Sequence, residues 1–150
     1  MAELVLYLAG PLFTIAERTL NKTLALRLEE LGYKVLLPQE FGATTAAQAW
    51  DLCISNLEKA DVVVACANGA DVDSGTAFEC GYACAKEKPV IVWRDDWRKA
   101  DDLDAPINCM LYKGEGMKYV SYVSPEGGDV MLGALAKLIH LAILETREPI

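Results

Sequence analysis

Two neighbouring stretches decide the fold: Asp61-Val62-Val63-Val64-Ala65 and, shortly after it, Asp71-Val72-Asp73-Ser74-Gly75-Thr76-Ala77-Phe78-Glu79-Cys80-Gly81-Tyr82-Ala83. The first predicts a buried strand, and the second predicts a helix with Ser74 available as its side-chain cap. Parallel α/β sheets bind ligands beyond the carboxyl ends of their strands. Since the carboxylates of Asp73 and Glu79 fall at this strand-to-helix turn, the turn is a candidate chemical site.

The setting of Glu79 strengthens that hypothesis. Phe78, Gly81 and Tyr82 surround it in the sequence, whereas a surface helix normally places its acids among lysines. A plainer interpretation is that Asp73 only caps the helix and Glu79 is solvated, since acids are ordinary in the first turns of helices. The pattern alone leaves both interpretations open.

The rest of the chain alternates strand and helix patterns. Predicted strands cover 4–8, 33–37, 62–65, 89–93 and 119–123, and predicted helices cover 15–31, 46–59, 74–86 and 130–145. Gly32 is expected to end the first helix as its C-cap. This alternation predicts an α/β fold of the flavodoxin-like type: a doubly wound, parallel, five-stranded sheet with helices on both faces. The segment from Arg94 to Lys118 reads as irregular, and loops of that length are often functional.

Length and composition predict one domain over residues 1–150. A chain of 150 residues buries about two thirds of the surface that it exposes when unfolded. Apolar runs stay well short of the ~18–20 residues of a membrane span. The amino terminus enters a strand directly and shows no signal-peptide pattern, so we expect a cytoplasmic location and no membrane partner.

Charge and cysteine usage exclude several classes of function. The net charge of −8, with lysines and arginines scattered, argues against nucleic acid and favours a small neutral ligand. Five cysteines, an odd number, suit buried thiols in a reducing compartment. Cys80 and Cys84 share a helix face, but the only histidine, His140, lies in a different helix, so no metal site is expected.

Cofactor and nucleophile motifs are also missing. Ala9 to Phe13, after the first strand, contains one glycine and no following lysine, which removes the sequence support for NAD or nucleoside triphosphates. No cofactor is expected. The chain has no G-x-S-x-G elbow, and a surface or core role suits His140 better than catalysis. Carboxylates are then the remaining candidates, and Gly75 between them allows a ligand close to the backbone.

Five motifs in chain order resemble the nucleoside 2-deoxyribosyltransferase family. They are Tyr7-Leu8-Ala9-Gly10-Pro11-Leu12-Phe13 with Glu17, Ala60-Asp61-Val62-Val63-Val64, Asp73-Ser74-Gly75-Thr76-Ala77-Phe78-Glu79-Cys80-Gly81-Tyr82-Ala83, Lys88-Pro89-Val90 and Pro106-Ile107-Asn108-Cys109-Met110. The third block is a specific signal, and the first is weak when taken alone. The family has a flavodoxin-like fold, which agrees with the independent prediction from the element order.

The resemblance implies catalytic roles for three residues and a substrate-binding role for a fourth. Glu79 matches the nucleophile that holds the 2-deoxyribosyl group as a covalent ester, and Tyr7 matches the tyrosine that orients it. Asp73 matches an aspartate implicated in proton transfer to the leaving base. Asn108 matches an asparagine that contacts the sugar in a neighbouring subunit's site, so a homo-oligomer is expected.

Substrate contacts are expected from further positions of the same motifs. They are Gly10, Phe13, Gly75 and Met110, together with Asp51. Members often carry an aspartate where this chain has Cys53, and Asp51 is the nearest acid that can replace it. The family's best-known form also ends in an aromatic residue whose terminal carboxylate touches the sugar, whereas this chain ends Glu148-Pro149-Ile150.

The residues and the resemblance leave three candidate functions for this chain. The first is exchange of the nucleobase of 2-deoxyribonucleosides, purine or also pyrimidine, by retaining double displacement, with a 2-deoxyribonucleoside and a free nucleobase as partners. The second is hydrolysis of the N-glycosidic bond of nucleosides or their 5-monophosphates, although Ala9 to Phe13 lacks the serines, glycines and arginine that hold phosphate in such enzymes. The third is a non-catalytic nucleoside-binding module, which leaves the combination of Tyr7, Asp73 and Glu79 unexplained.

Overall fold

The computed structural model describes residues 3–98, 104–123 and 128–147. Its strands are β1 (Val5–Ala9), β2 (Lys34–Leu36), β3 (Val62–Cys66), β4 (Val90–Arg94) and β5 (Met117–Ser121). Its helices are α1 (Ile15–Glu30), α2 (Ala46–Lys59), α3 (Ser74–Ala85), α4 (Cys109–Tyr112) and α5 (Asp129–Glu145), with one 3₁₀ turn at Pro38–Glu40. Glu148-Pro149-Ile150, the last residues of the sequence, lie outside the described residues.

The five strands form one parallel sheet in the order β2-β1-β3-β4-β5. This order confirms the predicted flavodoxin-like, doubly wound fold. The chain runs outward from β1 to β2 and then returns to β3, so the winding direction reverses between β1 and β3. Such a reversal opens a crevice at the carboxyl ends of the two strands. Tyr7 of β1 pairs with Val63 of β3 next to this reversal.

Each face of the sheet carries its own hydrophobic core. Because strand side chains alternate, Leu6 and Leu8 point to one face while Tyr7 and Ala9 point to the other. The core on the first face also contains buried residues of α1 and α5, among them Leu24, Leu28, Leu135 and Ile139. The core on the second face also contains residues of α2, α3 and α4, among them Leu57, Cys80, Ala83 and Leu111. Tyr7 therefore faces the helices that carry the candidate carboxylates.

The helix termini correct two predictions. Asp73, not Ser74, is the N-cap of α3, since its side chain accepts a hydrogen bond from the backbone N–H of Thr76. Both residue types are good caps, and the helix begins at Ser74, one residue earlier than a Ser74 cap requires. Similarly, Leu31 is the C-cap of α1, and Gly32 follows it with a φ of 90°, the left-handed conformation that glycine adopts most easily.

The last strand differs from its predicted position. The alternating pattern predicted a strand over 119–123, whereas β5 covers Met117–Ser121. This strand lies at the edge of the sheet and is only partly buried, so its apolar pattern is weak. The segment predicted as irregular from Arg94 to Lys118 contains the end of β4, the short helix α4 and the start of β5.

Two further sequence predictions concern His140 and membranes. His140 Nδ1 lies 2.7 Å from the hydroxyl of Tyr33, far from both carboxylates in the fold, which agrees with a structural role. No helix in the described part of the chain is both long and apolar enough to cross a bilayer.

Candidate active site

The side chains of Tyr7 and Glu79 meet at the crevice between β1 and β3. The Tyr7 hydroxyl donates a hydrogen bond of 2.6 Å to Glu79 Oε1. Tyr7 is fully buried on β1, and Glu79 is half-buried on α3. The contact joins two residues that lie far apart in the sequence, and the parallel pairing of β1 with β3 brings them together. Two of the three predicted catalytic residues are thus in direct contact.

Burial sets the protonation behaviour of this pair. Removal from water raises the pKa of Glu79 to about 7, with the Tyr7 hydrogen bond lowering it and the negative charge of Asp73 raising it further. Burial and the charge of Glu79 together raise the pKa of Tyr7 far above its ordinary value, so Tyr7 remains a donor. Glu79 is therefore a carboxyl that changes charge near neutral pH, as nucleophiles and general acids often do.

Asp73 is fixed at the start of α3. Its Oδ2 accepts hydrogen bonds from the backbone N–H of Thr76 at 2.9 Å and from the Thr76 hydroxyl at 3.0 Å. A Cβ on Gly75 would lie 3.2 Å from the same oxygen, closer than most Cβ contacts allow. Gly75 therefore leaves room for the carboxylate of Asp73, which is near enough to Glu79 to raise that residue's pKa.

The loop after β1 places Gly10 and Phe13. A Cβ on Gly10 would lie 3.1 Å from the Cβ of Cys66, so a small residue lets this loop lie against β3. The Phe13 backbone N–H donates to Glu17 Oε2 at 2.9 Å, and the Phe13 ring is 72% exposed. Phe13 is thus an exposed aromatic ring on an anchored backbone.

Asn108 and Met110 lie elsewhere on the chain's surface. Asn108 is the exposed N-cap of α4, with Oδ1 accepting from the Met110 N–H at 3.0 Å, and the Met110 side chain is 75% exposed. Both residues line a groove of about 1330 Å³ whose α3 wall includes Ser74, Ala77 and Gly81. Neither Tyr7 nor Glu79 lines this groove. Within one chain, Asn108 therefore faces a groove that Glu79 does not line.

Comparison with known proteins identifies the family. The model of the nucleoside 2-deoxyribosyltransferase family matches residues 6–110, a range that includes Tyr7, Asp73, Glu79 and Asn108. The chain belongs to this family. Membership indicates a nucleoside-modifying enzyme with nucleoside and nucleobase substrates. No curated protein matches the chain significantly.

Solved structures share the fold. A conserved protein from Enterococcus faecalis V583 has a TM-score of 0.70 at 24% identity, with 94% of this chain and 99% of that chain covered. A CMP N-glycosidase from Clostridium botulinum has a TM-score of 0.64 at 23% identity, covering 91% and 98%. A 2-desoxiribosyltransferase from Leishmania mexicana has a TM-score of 0.62 at 23% identity, covering 89% and 97%.

One position near the carboxylate differs from the pattern of many nucleoside 2-deoxyribosyltransferases. Cys53 of α2, the position at which the resemblance predicts an aspartate, is half-buried and lies near enough to the Tyr7 hydroxyl to affect its pKa. Burial raises the pKa of the Cys53 thiol. Asp51, the suggested replacement, is exposed on α2. Sequence reasoning marked Cys53 as a departure and missed its proximity to Tyr7, although its spacing of four residues before the buried Leu57 is the signal that it faces inward.

Side chains that ligate metals do not cluster in the described part of the chain. Within the described ranges, no three His, Cys, Asp or Glu side chains lie close enough together to hold an ion. Cys53, Cys66, Cys80 and Cys84 are free thiols. The side chains that meet at the crevice are a half-buried carboxyl and a phenol, with a second carboxylate close by.

Proposed function

We propose that this protein is a nucleoside 2-deoxyribosyltransferase that exchanges nucleobases by double displacement, with Glu79 as the nucleophile. The observation that carries the proposal is the hydrogen bond of 2.6 Å from buried Tyr7 to Glu79 Oε1. A covalent mechanism needs a carboxylate in a defined orientation and a largely dry setting. Both conditions are met at the crevice between β1 and β3.

In the first half-reaction, Glu79 attacks the anomeric carbon of a 2-deoxyribonucleoside. The carbon–nitrogen bond breaks, its electron pair leaves with the base, and the base takes up a proton for which Asp73 is the assigned source. Tyr7 holds Oε1 in place while Oε2 forms the ester. The product is a 2-deoxyribosyl ester of Glu79, and retention of configuration requires such direct contact between nucleophile and sugar.

In the second half-reaction, another base attacks the anomeric carbon from the face that the first base left. The ester bond breaks, its electron pair returns to Glu79, and the incoming nitrogen gives its proton to Asp73, which restores the acid used in the first half-reaction. Two inversions at one carbon restore the β configuration. Gly10, Phe13 and Gly75 are assigned to substrate contact around this centre, with Asp51 a candidate at the rim. Met110, which lines the groove with Asn108, is assigned to substrate contact together with that residue.

We further propose that Asn108 completes the site of a neighbouring subunit. Asn108 is exposed on a groove that Glu79 does not line, so the two residues do not share a surface within one chain. If subunits pair through this groove, the Asn108→Ala and Glu79→Ala variants should complement each other. Mixed dimers regain one complete site in a two-fold symmetric interface, so activity should rise well above that of either parent. A mixture that stays inactive after subunit exchange, confirmed by mass spectrometry, contradicts the shared site.

The function is tested by incubating the protein with deoxyinosine and adenine, and separately with thymidine and adenine. Chromatography should show deoxyadenosine forming at the expense of the donor. Release of free base without a new nucleoside favours an N-glycosidase instead. Exchange from deoxyinosine alone would define a purine-specific enzyme, and exchange from both donors a broader one.

A further inference from the structure

The inner stripe of α2 ends in an exposed tryptophan. Trp50, Cys53, Ile54 and Leu57 have the spacing of one helix face. Leu57 is fully buried, Cys53 and Ile54 are half-buried, and Trp50 is 57% exposed. A large aromatic residue on the inward face of a helix is normally covered. The uncovered end lies in the first turns of α2, and helices of parallel α/β units begin at the edge where ligands bind.

Two observations locate this ring relative to the nucleophile. Cys53, one turn further along α2, lies near enough to affect the pKa of the Tyr7 hydroxyl that holds Glu79. The ring of Trp50 packs against Phe78, the neighbour of Glu79 in α3, with centroids 5.3 Å apart and planes 43° apart. The indole therefore lies against the residue that precedes Glu79 and one helix turn from Cys53.

The neighbours of Trp50 hold its position from one side. Phe78 also contacts the Tyr82 ring, with centroids 6.2 Å apart, and the Tyr82 hydroxyl donates to Glu58 at 2.8 Å. These contacts form an aromatic ladder of Trp50, Phe78 and Tyr82 across α2 and α3. The ladder is anchored at Tyr82 and ends in the exposed indole of Trp50.

We propose that Trp50 is a specificity-determining residue whose indole stacks on the nucleobase while the sugar reaches Glu79. This inference rests on the proposed function and adds a subsite for the base. Nucleobases stack on aromatic side chains through their flat π faces, without any need for a particular hydrogen-bonding pattern. A bicyclic purine overlaps an indole more fully than a pyrimidine does. Trp50 therefore gives the enzyme its preference for purines.

Kinetics of base exchange provide the first test. Trp50→Ala should raise the KM for adenine about tenfold, as expected for loss of one stacked ring, with a smaller rise for thymine and a smaller change in kcat. Trp50→Phe should recover most of the adenine affinity, whereas Trp50→Leu, equally apolar but not aromatic, should not. Leu141→Ala is the matched control, because it shortens another exposed apolar side chain, 54% exposed on α5.

Fluorescence provides the second test. The chain has three tryptophans: Trp93 is fully buried, while Trp50 and the 79% exposed Trp97 are accessible. Adenine should lower the emission of the wild-type protein and of Trp97→Phe by similar absolute amounts, which is a larger fraction of the total in Trp97→Phe. In Trp50→Phe the quenching should be lost, although this variant still binds adenine in the kinetic assay.

The outcomes separate this inference from the proposed function. If the wild-type protein exchanges bases but Trp50→Ala matches it with adenine and with thymine, the stacking role is wrong. The stacking role is also wrong if the quenching is lost in Trp97→Phe and kept in Trp50→Phe. It is equally wrong if Trp50→Ala changes the molecular mass of the oligomer in solution, which would make Trp50 a subunit contact. A wild-type protein that exchanges no bases refutes the proposed function, while adenine quenching centred on Trp50 would still support the base subsite.

Discussion

Two glutamates at the carboxyl edge of the sheet behave in opposite ways. Glu17, in the first turn of α1, accepts backbone hydrogen bonds from Thr14 at 2.7 Å and Phe13 at 2.9 Å, and these bonds lower its pKa. Glu79, further along α3, has a pKa raised to about 7 because it is buried. The side chain is the same, but one is held ionised at a helix terminus and the other is poised near neutrality.

Position along the helix explains the difference. Only the first turn of a helix has backbone N–H groups without helical partners, and the Glu17 carboxylate uses them in a capping box with Thr14. Glu79 lies beyond the first turn of α3, so its partner must come from another element, and the hydroxyl of Tyr7 supplies it. A carboxyl with one such bond in a buried site retains the reactivity that full hydrogen bonding would suppress.

Removal of the Glu79 carboxylate should have the largest effect. Glu79→Ala should lower the rate of base exchange by several powers of ten, because no group remains to carry the sugar. Turnover is measured by chromatography, and circular dichroism checks that the variant is folded. Near wild-type turnover in a folded variant would contradict the assignment of Glu79.

Loss of the Tyr7 hydroxyl should have an intermediate effect. Tyr7→Phe deletes one hydrogen bond to a carboxylate, worth about 1.5–3 kcal/mol, and should slow glycosyl-enzyme formation roughly ten- to a few-hundred-fold. Single-turnover kinetics isolate this step. An unchanged rate constant would make Tyr7 only a core residue of β1.

The pH profile should report Glu79 directly. The nucleophile must be ionised, so kcat/KM should fall as pH drops through about 7, the pKa of this carboxyl. Because the Tyr7 bond lowers that pKa, Tyr7→Phe should move the acidic limb to higher pH. An acidic limb near pH 4 in the wild-type protein would show that Glu79 is solvated and is not the poised group.

The smallest effect on activity is expected at the other glutamate. Glu17→Ala removes the capping interaction of α1 and should lower the free energy of unfolding by about 1 kcal/mol, measured with urea. Base exchange should remain close to the wild-type rate. A loss of activity as large as that of Glu79→Ala would remove the contrast between the two carboxylates.

Most of the fold could be predicted because its signals are local. Apolar spacing and capping residues located α1, α2 and α3 closely, and alternation with buried strands implied a parallel sheet. The strand order could not be predicted, since it depends on contacts between distant segments. The position of β5 was missed by two residues because an edge strand that is only partly buried leaves a weak apolar pattern.

The candidate site was predictable in part. Tyr7 and Glu79 were named from motifs, but their hydrogen bond depends on how α3 packs against β1. The proximity of Cys53 to Tyr7 and the exposure of Trp50 depend on where α2 begins relative to the sheet. Sequence spacing places these two residues on the inner face, and only the packed helix shows that one is half-buried and the other uncovered.

The central claim is that Glu79 carries the sugar as an ester. The most direct measurement is mass spectrometry of the protein after brief mixing with deoxyinosine and acid quenching, followed by proteolysis. The account predicts a mass increase of one 2-deoxyribosyl group on the peptide that contains Glu79, which disappears when adenine is added before the quench. Rapid base exchange with no adduct on Glu79, or with an adduct on another residue, would contradict it.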